Sequence, residues 1–160
     1  MDLVFKDMPD ESLVWIFQSS KELNLHMQAE MQSDLSLFLN NWNSHQNKLF
    51  AEAAILYQHF VVVMLDASRT DPSGCSIDKL VALVKKWGQR FEIDFFNRLE
   101  FAYLSDDKVE FISSIEMKNS FTDGKINDQT LFFNHLVKNK KEWLHHWTTQ
   151  LSLSWHKNFI

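Results

Sequence analysis

The residue of this chain best suited to covalent chemistry is its single cysteine, Cys75, in the loop 66–78 between an apolar run ending at Asp66 and a helical pattern opening near Ser76. Ser73, Gly74 and Cys75 are small or turn-forming, and Ser76 stands where a helix N-cap belongs. A helix start presents unpaired N–H groups and about half a positive charge, so such a loop suits a bound anion or a thiol whose ionised form is favoured. Asp66 and Asp78 flank it and either supply a base or repel a thiolate. Three roles stay open. Ser76 caps the helix, Asp78 complements its dipole and Cys75 fills an apolar space; or Asp66, Ser73, Gly74, Ser76 and Asp78 line an anion pocket; or Cys75 is a nucleophile.

Other chemistries meet stricter tests and fail them. A phosphate-binding loop needs two glycines five apart followed by Lys and Ser/Thr, so that backbone amides surround the phosphates. The only Gly-Lys pair is Gly124-Lys125, with Asn119 where the first glycine belongs and Ile126 where the hydroxyl belongs. The three glycines, at 74, 88 and 124, also rule out a dinucleotide fingerprint. No His-Glu-x-x-His, Cys-x-x-Cys or Gly-x-Ser-x-Gly is present, and His145-His146 would point about 100° apart on a helix, so neither a metal site nor a serine triad is expected. Trp143, Trp147, Trp155, His156 and the lysines around them could stack bases, but the net charge of −5 argues against nucleic acid.

These residues must be positioned by the rest of the chain. Leu13-Val14-Trp15-Ile16-Phe17 reads as a strand, being short, β-branched and aromatic between polar flanks. Met27, Met31, Leu35, Phe38, Leu39 and Trp42 recur at three- and four-residue steps, which predicts a helix over 25–43. The apolar runs 49–57 and 60–66, separated by Gln58-His59, predict an antiparallel hairpin whose second strand is buried on both faces. Ile77, Leu80, Val81, Val84, Trp87 and Phe91 predict a second amphipathic helix, and 99–103 with 109–112 a second hairpin. A short helix over 115–121, a buried stretch at 131–133 and a helix over 139–147 complete the chain. The first six elements match the ferredoxin-like βαββαβ arrangement, an antiparallel sheet with helices on one face, so the expected class is α+β with an extra hairpin strand and appended C-terminal helices, in one domain over 1–160.

Composition bounds the class further. Hydrophobic residues form 45% and charged ones 23% of 160 residues, with few Gly or Pro, which excludes disordered and collagenous chains. A chain of this size buries roughly two-thirds of its unfolded surface, enough for a core without disulfides. A lone thiol, an acidic start without an apolar leader, and no run approaching the roughly twenty apolar residues of a membrane span make a cytoplasmic protein the simplest expectation. The first 35 residues hold seven acids against two lysines, and 136–160 hold four lysines against one acid, a division that solvated faces of opposite sign explain.

Four stretches together, 13–18 (Leu-Val-Trp-Ile-Phe-Gln), 74–78 (Gly-Cys-Ser-Ile-Asp), 133–137 (Phe-Asn-His-Leu-Val) and 154–157 (Ser-Trp-His-Lys), resemble the landmarks of a family of short bacterial proteins catalogued as "ABC transporter ATPase". The likeness spans nearly the whole chain. It implies that Gly74, Cys75, Ser76, Asp78, Asn134, Trp155 and His156 are motif positions that meet in space, with Asn134 and Trp155 lining a ligand site and His156 a candidate base for Cys75. Lacking the phosphate loop, the chain is not expected to hydrolyse ATP. The leading expectation is a non-catalytic module binding a small anionic ligand or a protein partner, without cofactor, metal, nucleic acid or membrane. The alternative is a small enzyme using Cys75 with His156.

Overall fold

The computed structural model describes residues 4–160. In chain order the elements are β1 (Leu13–Gln18), α1 (Leu25–Asn40), β2 (Asn43–Ser44), β3 (Asn47–Lys48), β4 (Ala51–Leu56), β5 (Phe60–Leu65), α2 (Gly74–Phe91), β6 (Glu100–Ser105), β7 (Lys108–Ser113), α3 (Met117–Thr122), β8 (Leu131–Phe133), α4 (Lys140–His146) and β9 (Thr148–Gln150), followed by two 3-10 turns, Leu151–Leu153 and Trp155–Phe159. The class is α+β with antiparallel sheets. The described chain forms two compact units, residues 4–96 with 138–141, and residues 97–137 with 142–160.

In the first unit the strand order is β1-β5-β4, antiparallel throughout, with Leu13 opposite Leu65 and Ala51 opposite Leu65 on the other side. β5 is central and every one of its residues is buried, which is why Phe60-Val61-Val62-Val63-Met64-Leu65 carries no polar alternation. Val61, Val63 and Leu65 face a core shared with Met31 and Leu35 of α1 and Leu80, Val84, Trp87 and Phe91 of α2, so both helices cover one face of this sheet. The segment 138–141 runs along the free edge of β1. Asn139 bridges Leu13, Val14 N donates to Lys138 O (3.1 Å) and Lys140 N to Ser12 O (2.9 Å).

The six expected elements do not close into one ferredoxin-like sheet. The sixth, β6, pairs with β7 and β8 in a separate sheet of order β7-β6-β8-β9. Sequence periodicity sets which residues face inward but leaves the partner of a strand open, and here long-range pairing decided it. In this second unit Phe101, Tyr103, Ile112, Met117, Ile126, Phe132 and Leu151 form the core.

Local boundaries follow recognisable causes. α1 starts under the Asn24 cap, whose side chain accepts from Met27 N (2.9 Å), and stops at Asn40 rather than 43, because Trp42 turns inward and donates its indole N–H to Ser76 O (2.8 Å). Residues 43–48 then form a small hairpin that the apolar pattern does not announce. α2 ends where Glu92 takes a left-handed conformation (φ 57°) and its N–H returns to Gly88 O. A Cβ on Gly88 would stand 2.7 Å from the Ile93 carbonyl oxygen, closer than real contacts allow, so that tight return needs glycine.

Candidate functional site

α2 starts three residues earlier than expected. Ser73, in an extended conformation, is the N-cap, and Ser76 is the third helical residue. The two serines form a reciprocal capping box: Ser73 Oγ accepts from Ser76 N (3.1 Å) and Ser76 Oγ from Ser73 N (2.7 Å). Ser73 and Ser76 thus spend their polar groups on the helix start. Cys75, in the first turn, and Gly74 and Asp78 are all exposed, and none of the three lines a described cavity. Asp66 behaves differently. It is 9% exposed at the end of β5, where Oδ1 accepts from Ser68 N (3.0 Å) and Ser68 Oγ (2.5 Å), while Oδ2 has no hydrogen-bond partner among the described residues.

Asn134, Trp155 and His156 belong to the second unit, where they do come together. Trp155 donates its indole N–H to Asn134 Oδ1 (3.1 Å), and its ring stacks on that of His156 with centroids 4.2 Å apart. His156 is 2% exposed, packed against Phe101 and Phe132, and its Nδ1 meets Ser154 Oγ at 2.6 Å. Burial pushes its imidazole down to about 4. Burial, with the charge of His156 adding, pushes His135 down to about 3, and Trp147 Nε1 donates to its Nδ1 (3.2 Å). Imidazoles so reluctant to take a proton are poor bases near neutrality, which weighs against His156 as a partner activating Cys75.

Open space lies in the first unit. A cavity of about 370 Å³ is lined by Met8, Leu39 and Leu49 together with Asp7, Glu52 and Asp66. A second, of about 610 Å³, runs between Ser44, His45 and Asn47 of the small hairpin and Thr70 and Asp71 of the loop after β5. Lys48, Phe50 and Arg69 line both. The Arg69 Cζ lies 3.5 Å above the centre of the Phe50 ring. That distance is well within cation–π contact. Among the described residues, neither Arg69 nor Lys48 makes an ion pair or a side-chain hydrogen bond. Their donors remain unspent.

The loop 66–78 therefore borders open cavities through Asp66, Arg69, Thr70 and Asp71 rather than through its helix-proximal half. Phe50 and Arg69 are placed by the hairpin register and the turn that follows it. Extending the β4–β5 register by one pair sets Phe50 opposite Asp66, and the Asp66 N–H does donate to Phe50 O (2.8 Å), with Arg69 one turn further on, its N–H donating to Asp66 O (3.3 Å). Among the described residues, no group of three or more His, Cys, Asp or Glu side chains is arranged to hold a metal ion, and no helix is long and apolar enough to cross a membrane. Comparison with protein-family models, with curated proteins and with solved structures finds no match.

Proposed function

We propose that this chain is a non-catalytic binding module that takes a small anionic ligand in the paired cavities of its first unit, with Arg69 and Lys48 holding the negative group. The observation that carries this reading is the unspent Arg69 guanidinium, held over the Phe50 ring in the wall of both cavities. A guanidinium presents five N–H donors in a rigid fork suited to carboxylate or phosphate, and stacking on a ring removes part of the side-chain entropy cost of using it. The cavity volumes fall in the range of small-molecule sites, and Met8, Leu39 and Leu49 give the smaller one an apolar wall. A ligand with an apolar body and an anionic end suits both features. The contact of Asn134, Trp155 and His156 reads as packing of the second unit's aromatic core.

A chemical-shift titration with 4-methylpentanoate tests this. Saturable shifts are expected at Lys48, Phe50, Arg69 and Thr70, with none from the uncharged 4-methylpentanamide and none with acid in the Lys48→Ala/Arg69→Ala double variant. Absence of saturable shifts with the acid, or equal shifts with the amide, overturns the reading.

A further inference from the structure

Asp66 and Arg69 are one turn apart, line the same cavity and make no ion pair with each other. Ser68 occupies Asp66 Oδ1, while Oδ2 accepts from no described residue and Asp66 lines the cavity, so a donor on a ligand held there finds an open acceptor. Glu52 and Asp7 line the same space, so the smaller cavity offers three carboxylates beside the cationic ridge of Lys48 and Arg69. A ligand with only an anionic group would leave Asp66 unanswered and would face those carboxylates.

We infer that the ligand is dipolar, a free α-amino acid with an apolar side chain, its ammonium donating to Asp66 and its carboxylate accepting from Arg69. The inference rests on the anion-binding reading above and adds the second charge. Asp66 and Arg69 line the same cavity without pairing with each other, so a ligand that carries opposite charges, as an α-amino acid does, can answer both. Met8, Leu39 and Leu49 suit an apolar side chain of about the size of leucine.

L-leucine and 4-methylpentanoate differ only by the ammonium group, so their affinities for the unmodified protein, measured by the same shift titration, isolate it. Because a hydrogen bond to a charged group contributes about 1.5–3 kcal/mol, L-leucine is expected to bind about tenfold or more tighter than 4-methylpentanoate. Asp66→Asn, which keeps an oxygen for Ser68, is expected to bring the two affinities within about twofold while 4-methylpentanoate binding persists. Equal or weaker binding of L-leucine to the unmodified protein overturns the dipolar ligand and leaves the anion site standing. A preference for L-leucine that survives Asp66→Asn overturns the role of Asp66. If neither compound binds, both readings fall together.

Discussion

Lys140 is 8% exposed, and its ammonium donates to the carbonyls of Phe5 (2.7 Å) and Met8 (2.6 Å). It ties down the turn that brings Asp7 and Met8 to the smaller cavity, so a residue outside the cavity positions two that line it. Replacing it with Met keeps the bulk and leaves two carbonyls without that donor. Lys140→Met is expected to destabilise by about 1–3 kcal/mol, read as a lower urea midpoint, and to weaken 4-methylpentanoate binding. An unchanged midpoint would show that the ammonium contributes nothing. At this scale the sequence is partly legible. Asp66 is marked by its place at the end of a continuous apolar run, and Ser73 and Ser76 by their cap chemistry. Arg69 is not marked, since its stacking on Phe50 depends on a hairpin register and a turn that no local spacing encodes.

Among the elements, the two amphipathic helices and the central strand are legible because their apolar faces repeat at the right period, and α2 keeps Leu80, Val84, Trp87 and Phe91 buried on one stripe. The small hairpin 43–48 is not. Its turn residues, His45 and Gln46, adopt positive φ (50° and 69°) without the Asn or Gly that usually advertises such a turn. The β6–β7 hairpin has the same economy: Asp106 and Asp107 both lie at positive φ (50° and 62°) between Ser105 and Lys108, and put two carboxylates side by side. Asp106→Asn with Asp107→Gly is therefore expected to stabilise the protein by about 1 kcal/mol, raising the melting temperature by roughly 2–4 °C. A lower melting temperature in a calorimetric scan would mean that those aspartates make contacts worth more than the backbone strain.

For the whole molecule, what the sequence withholds is sheet membership. β6 looks like the closing strand of a βαββαβ sheet, yet beyond its local hairpin with β7 its partner is β8, through Tyr103 opposite Phe132, a pairing with 28 residues between them in sequence that no window of periodicity contains. Acid acts on the second unit through two buried histidines. His135 and His156 belong to the second, and their folded values of about 3 and about 4 lie below the roughly 6.5 of an unfolded histidine. The unfolded chain thus binds more protons in this window. The stability contributed by the neutral rings is complete above about pH 6.5 and is lost as the pH falls from there through about 4. The urea midpoint is expected to be lower at pH 5 than at pH 7, and His156→Gln is expected to flatten that decline. A midpoint that does not move between the two pH values would contradict the neutral burial of these rings.

The return of the chain at the end of α2 has a bearing on ancestry. Chemistry at the cavity can be swapped by exchanging side chains, and the outer face of that helix tolerates almost any polar residue. Position 88 has no such latitude, because the oxygen of Ile93 occupies the volume a methyl group would claim. Distant kin that preserve this corner are thus expected to show an empty position five residues ahead of an apolar one, a mark of descent imposed by shape and independent of whatever molecule each of them has come to hold.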